Sequence, residues 1–291
     1  MGYIDLHVHT KYSDDGEFTP KEIVEKCLAS GIKLLAIADH NSVKGIKEGS
    51  EFAKENGIGY VNASELDCMI GSIRLHVLGY RLKTNFEVFD AYEEDILSQE
   101  LEISKKRIEA VRSVGIVVDE KKVYALSPNG VINGEMIAEA ALADRQNDEK
   151  LKEYLPGGGR SDNPYVNFYW DYFGKGEFAS LKPKFMDLKS AVKMITDAGG
   201  IPVLAHPGQN ISEDRKVLEE IIECGVKGIE VFSSYHTKEQ VAFYDSFAKE
   251  KALLETIGSD FHGKTKPSIY LGQSMADEEI QQKVLNYFMS L

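Results

Sequence analysis

The sequence predicts an α/β fold, either a barrel or a doubly wound sheet, interrupted by a mainly helical insertion, and three observations lead there. Short apolar runs alternate with amphipathic helical stretches over residues 1–82 and again over 188–291. Helix-start and helix-stop signals fall between those runs, where the alternation needs them. From about residue 83 to 187 the alternation is lost, and long charged stretches lead into a segment crowded with aromatics.

Residues 3–9 read as a short strand. Thr19-Pro20-Lys21-Glu22 combines a capping box with proline in the first turn, so a helix starts there. Ile23, Val24, Cys27 and Leu28 form its apolar face, and Gly31 ends it. The apolar run 34–38 completes a β-α-β unit. A helix over 43–55 stops at Asn56-Gly57, a strand over 60–63 leads to Glu65, and 73–78 is a further strand. In the insertion, 86–114 reads as helix and Leu155 to Gly159 as a loop. The aromatics from Tyr165 to Phe178 read as its core in preference to a stacking platform. Beyond it, a helix over 188–198 precedes a strand over 201–205 and then His206-Pro207-Gly208. A helix over 215–223 precedes a strand over 228–232, and a second capping box, Thr237-Lys238-Glu239-Gln240, opens a helix toward Glu250. The last strand, 253–257, runs into Gly258-Ser259-Asp260-Phe261-His262. Such alternation implies parallel strands with helices outside.

Composition narrows the function. The 291 residues are 43% hydrophobic and 28% charged, which suits a globular chain. Apolar runs such as Leu34 to Ala38 are far shorter than the roughly 20 residues a membrane-spanning helix needs. Asp5 and His7 stand so close to the first residue that no cleavable leader fits, and the expected location is the cytoplasm. A net charge of −13 disfavours binding to long nucleic acids. The three cysteines, Cys27, Cys68 and Cys224, are an odd set with no C-x-x-C spacing, so neither a thiolate zinc site nor a disulfide framework is suggested.

The residues with metal-ligand chemistry are His7, His9, Asp14 or Asp15, His40, Glu65, His76, His206, Asp260 and His262. Each lies at or just after the expected C-terminal end of a strand, the edge where loops converge in parallel α/β folds. His7 and His9 are spaced to share one strand face, as a chelating pair requires. Imidazole and carboxylate donors suit zinc, manganese or iron. One histidine at a strand end means little; six of seven placed this way predict a polynuclear site.

The ordered motifs DLHVHTKYSDDG, IADHNS, SELD, LHVLGY, LAHPG and GSDFHG resemble those of the PHP family of polymerase-associated and histidinol-phosphatase-like metallohydrolases. The resemblance implies a distorted (β/α)7 TIM-like barrel in two segments, 1–82 and 188–291, with 83–187 as an inserted, substrate-capping subdomain. It also implies three divalent ions, of manganese, iron, zinc or a mixture. His7, His9, Glu65 and Asp260 would hold the first, and Glu65 would bridge to a second held by His76 and His206. His40, His262 and an acidic residue would hold the third. Asp15 keeps the family's distance to Thr19-Pro20 and is favoured, whereas Asp14 keeps the distance to His9. With a bridging hydroxide, the ions would leave a net charge of about +2 in a shielded cavity, so an acidic protein can hold an anionic substrate.

The activity implied is attack by a metal-activated hydroxide on a small phosphomonoester, releasing inorganic phosphate. A nucleoside 3′,5′-bisphosphate or 5′-monophosphate is the foremost substrate. Histidinol phosphate is the close alternative, and a single-strand nuclease or proofreading module is the alternative of another class. Asp5 and Asp39 are expected to accept imidazole N–H groups and fix their tautomers. His236, with Ser234 beside it, is a candidate phosphate ligand or general acid. In related phosphoesterases the insertion carries an arginine in an Arg-Pro-His-Ile-Ala-like run, but here the matching stretch is Asn133-Gly134-Glu135-Met136-Ile137-Ala138. Arg160 and Lys184, and after them Arg145, Lys175 and Lys182, are the cations expected to replace it.

Overall fold

The computed structural model describes residues 2–127 and 129–290. The chain divides into two compact units. One comprises the residues up to Tyr92, Phe185–His262 and those from Ile269 onward; the other comprises Glu93–Lys184 and Gly263–Ser268.

The first unit holds all the strands: β1 (Ile4–Val8), β2 (Leu34–Ile37), β3 (Gly59–Tyr60), β4 (Ala63–Ile70), β5 (Ile73–Tyr80), β6 (Met186–Asp187), β7 (Ile201–Leu204), β8 (Gly228–Ser233) and β9 (Leu254–Gly258). They form a parallel three-stranded sheet, β1-β2-β3, and a six-stranded sheet in the order β6-β4-β5-β7-β8-β9. Three expectations are corrected here. The six-stranded sheet is mixed, because β5 runs antiparallel to both β4 and β7. Nor do the strands close into a continuous hydrogen-bonded barrel. β4 and β5 form a hairpin, which turns at Gly71 with φ 57°, a conformation that glycine adopts without steric penalty. The single strand expected near 60–63 is two, since β3 pairs with β2 while β4 belongs to the other sheet.

Where the ladders stop, loop backbone joins the sheets. The amide of Asp260 donates to the His7 carbonyl (2.8 Å) and that of His9 to the Phe261 carbonyl (2.9 Å). At the other seam Asn41 N donates to the Glu65 carbonyl (2.7 Å) and Glu65 N to the Asp39 carbonyl (3.1 Å). Ile4, Leu6, Leu66, Leu75, Val77, Val203, Ile229 and Val231 are fully buried in the core beneath. Both bonds of the Thr19 capping box form at the helix Pro20–Ser30, and both form at Thr237 before Lys238–Glu250.

In the second unit Phe168, Phe173 and Phe178 pack with Ile108, Val111, Ile137 and Leu151 into a separate core. The aromatic run is therefore structural. Asn133 caps the helix Gly134–Leu142, its Oδ1 accepting from Met136 N at 2.8 Å.

Among the described residues no helix is long and apolar enough to cross a membrane.

Candidate metal centre

Glu65 is the hub. Its Oε2 lies 3.2 Å from His7 Nε2, 3.3 Å from His9 Nε2 and 3.1 Å from His40 Nδ1. Its Oε1 lies 3.0 Å from His76 Nδ1 and 3.1 Å from His206 Nε2. Asp260 Oδ1 adds contacts of 3.0 Å to His9 Nε2 and 3.4 Å to His7 Nε2, and His262 Nε2 lies 3.3 Å from Asp15 Oδ1. Three overlapping groups bring donor atoms within 4.8 Å of one another: His7, His9, Glu65 and Asp260; His9, His40 and His262; and His40, Glu65 and His76. Asp15 is thus the acidic residue brought to the cluster, whereas Asp14 is exposed.

These candidate ligands do not all sit at C-terminal strand ends. Glu65 is the third residue of β4 and His76 the fourth of β5, because the antiparallel hairpin runs on past the site.

The donor set fits divalent metal ions. His7 Nε2, His9 Nε2, His40 Nδ1, Glu65 Oε2 and His206 Nδ1 are buried and have no hydrogen-bond partner. Buried polar atoms are rarely left so, because an unmade hydrogen bond costs about 1–3 kcal/mol each. Three of these atoms, the nitrogens of His7, His9 and His40, converge on Glu65 Oε2 at 3.1–3.3 Å, which a cation explains, and nitrogen and oxygen donors without thiolate suit manganese, iron or zinc. Burial alone would raise the pKa of Glu65, but His7, His76 and His40 hold it well below the usual carboxylate range. Burial would lower that of His7, yet Glu65, Glu230 and Asp260 push it well above the usual imidazole value.

The far edges of the imidazoles are also held. His7 Nδ1 donates to Glu230 Oε1 (2.9 Å), and Glu230 Oε2 accepts from His206 N (2.9 Å). His9 Nδ1 donates to Ser13 Oγ (2.9 Å), which in turn donates to Asp39 Oδ1 (3.0 Å). With the proton on Nδ1, both rings turn an Nε2 lone pair toward the cluster. Tyr235 Oη donates to Asp260 Oδ2 (2.6 Å).

This corrects the expected roles of Asp5 and Asp39, since neither meets an imidazole. Asp5 accepts from Ser259 N, Ser259 Oγ and Gly272 N and ties β1 to the end of β9. Asp39 accepts from Thr10 N and Thr10 Oγ1 and reaches His9 only through Ser13. His236 is also corrected. Its Nδ1 donates to the Val231 carbonyl (2.9 Å), its Nε2 accepts from Gly208 N (3.1 Å), and burial lowers its pKa, so it is a neutral staple between backbone segments. Ser234 Oγ donates to the Ser259 carbonyl at 2.7 Å. Arg160 and Lys184 belong to the second unit, where Arg160 forks onto Asp171 (2.8 and 3.1 Å) and Lys184 N donates to Gln99.

Sequence reasoning missed Glu230 and Asp67. Glu230 is fully buried inside the apolar strand β8, and a charge in such a run is itself the signal. Asp67 lies two residues beyond Glu65, on the same strand face.

An α/β scaffold that buries a histidine and carboxylate cluster with unsatisfied donors defines a metal-dependent enzyme. Among known proteins, the PHP domain matches residues 5–147 of this chain. The chain is 29% identical over 261 residues to a 5′-3′ exoribonuclease of Haemophilus influenzae, covering 89% of each chain. It is 28% identical over 269 residues to a 3′,5′-nucleoside bisphosphate phosphatase of Chromobacterium violaceum, covering 90% of this chain and 88% of that one. A solved structure from Chromobacterium violaceum, described as an amidohydrolase with bound sulfate and no metal, superimposes with a TM-score of 0.79. It has 25% identity and covers 99% of this chain and 96% of that one.

Proposed function

We propose that the protein is a metal-dependent phosphoesterase that hydrolyses a small phosphomonoester, foremost a nucleoside 3′,5′-bisphosphate or 5′-monophosphate, and releases inorganic phosphate. The observation that carries this reading is the convergence of five imidazoles on buried Glu65, with donor atoms left unsatisfied. His7, His9, Glu65 and Asp260 would hold one ion, and Glu65, His76 and His206 a second. His40, His262 and Asp15 would hold a third. Bound divalent ions supply Lewis acidity and lower the pKa of a coordinated water. The chain's own residues do the positioning. Glu230 and Ser13 fix the tautomers of His7 and His9, Tyr235 holds Asp260, and the buried surroundings keep bulk water from competing for these donors. The name of the Chromobacterium violaceum relative supports a nucleoside bisphosphate substrate.

The name of the Haemophilus influenzae relative favours a second reading, an exoribonuclease. The charge of −13 weighs against extended contact with a polyanion, so a short oligonucleotide end is the form that reading takes. The test is phosphate and nucleotide release by manganese-loaded protein from a 3′,5′-bisphosphonucleoside, a 5′-mononucleotide, histidinol phosphate and a short single-stranded oligonucleotide. A nucleotide monoester should be the best substrate by kcat/KM. Dominant release of mononucleotides from the oligonucleotide would replace the first reading by the second. Absence of turnover on all four with metal bound would remove both.

A further inference from the structure

We propose that Asp67 is a positioning residue of the metal centre: it holds the Nε2 edge of His76, so that this imidazole presents Nδ1 to the cluster around Glu65. The inference rests on the metal-centre reading above and is independent of which phosphate ester is cleaved.

The hairpin register places the two residues. Asp67 pairs directly with His76 across β4 and β5, so their side chains stand side by side on one face. Asp67 Oδ1 lies 3.0 Å from His76 Nε2, while His76 Nδ1 lies 3.0 Å from Glu65 Oε1. The ring is therefore bracketed by two carboxylates on its two nitrogens, and Glu65, at Nδ1, is the carboxylate that the other imidazoles also meet. His7 and His9 have the opposite arrangement, with Nδ1 held and Nε2 presented. A ligating imidazole commonly donates its second N–H to a carboxylate, which fixes ring orientation and raises ligand basicity.

Asp67 is not itself placed to ligate an ion, because both its oxygens are engaged by donors. Arg74 Nε and Nη2 approach Oδ1 at 2.8 and 2.7 Å, and Asn41 Nδ2 donates to Oδ2 at 2.9 Å. Asn41 returns the contact by accepting from Asp67 N at 2.9 Å. Asn41 follows ligand residue His40 and has φ 56°, so one buried carboxylate ties the loop of His40 to the strand of His76. The guanidinium of Arg74 lies over the Phe185 ring at 4.6 Å, which limits its freedom to leave Asp67.

The first test uses zinc-loaded, 15N-histidine-labelled protein, with the His76 signals assigned by their loss in His76→Gln. Long-range 1H–15N correlations should show His76 metal-bound at Nδ1 and protonated at Nε2. A metal-bound Nε2 overturns the proposal. The second test is Asp67→Asn, for which zinc affinity by chelator competition should fall roughly ten- to a hundredfold. The His7 and His9 signals of that variant should keep their wild-type pattern. Affinity within twofold of wild type overturns the proposal; a variant that does not fold leaves the decision to the wild-type spectrum. Wild-type protein that takes up no zinc sinks the metal centre itself, whereas zinc bound with His76 ligated through Nε2 sinks the Asp67 inference alone.

Discussion

Glu230→Gln tests whether the site is built from the outside inward. The substitution keeps side-chain volume in a fully buried position, so packing is nearly unchanged. Glutamate accepts two donors at once, His7 Nδ1 and His206 N, each at 2.9 Å. Glutamine can accept only one, because its amide nitrogen must face the other donor. If it faces His206 N, a buried N–H loses its partner at a cost of about 1–3 kcal/mol. If it faces His7, the imidazole can accept it only by moving its proton to Nε2, the atom turned toward Glu65 and Asp260. Either route weakens metal binding, and the general scale for such supporting residues is about ten- to a hundredfold in affinity, or about 1.4–2.8 kcal/mol. The assay is chelator competition for manganese and zinc, run beside thermal melting with and without metal. Affinity within twofold of wild type would refute the reasoning even if the melting temperature fell, since Glu230 would then serve stability alone.

Three further outcomes follow from the same geometry. A Cβ on Gly258 would lie 2.2 Å from Glu230 Oε1 and 2.3 Å from His7 Cβ, so Gly258→Ala should lower metal affinity more than tenfold; retained metal content would show that the strand can shift. His236→Gln should lower stability by about 1–3 kcal/mol in denaturant melts while leaving kcat within threefold. A hundredfold loss of kcat with full metal content would restore its expected role in the chemistry. Free manganese at about a hundred times its Kd should stabilise the protein by about 2.7 kcal/mol per site, and chelation should reverse the gain. An unchanged melting temperature on metal addition would count against the centre.

The candidate ligands were legible because imidazoles fall in short motifs within or just beyond apolar strand runs. Helix starts were legible for a local reason too, since capping boxes at Thr19 and Thr237 act within four residues. The direction of β5 was not legible. The runs 60–63 and 73–78 look like two more parallel strands, and only the two-residue turn at Gly71 reveals a hairpin whose apolar period is the same in either direction. Glu230 and Asp67 stayed hidden because their roles depend on partners 223 and 9 positions away, and a single carboxylate in a strand says nothing of which imidazole it meets. Asp5 and Asp39 misled for the converse reason. Each stands near a candidate ligand histidine in sequence, but its partners are distant in the chain: Asp5 meets Ser259 and Gly272, and Asp39 meets Thr10.

The missing barrel closure and the assembled site are one feature. Side chains on a continuous ladder alternate between faces, so consecutive residues cannot all reach one point. At the two seams the ladder gives way to loops in which Asn41 and Asp260 take φ values of 56° and 60°, and His206, beyond β7, takes 24°. Left-handed backbone at a non-glycine residue is uncommon and clusters at functional sites, at a cost of order 1–3 kcal/mol where it is strained. Here it lets His40, Asp260 and His206 turn toward Glu65 from three different strands. The same loops supply the amides of Asn41 and Asp260 that tie the two sheets together, so hydrogen bonding lost from the ladder is recovered at the rim of the cluster. A substitution that extended the ladder through either seam would therefore regularise the sheet and pull a ligand off the centre in the same step.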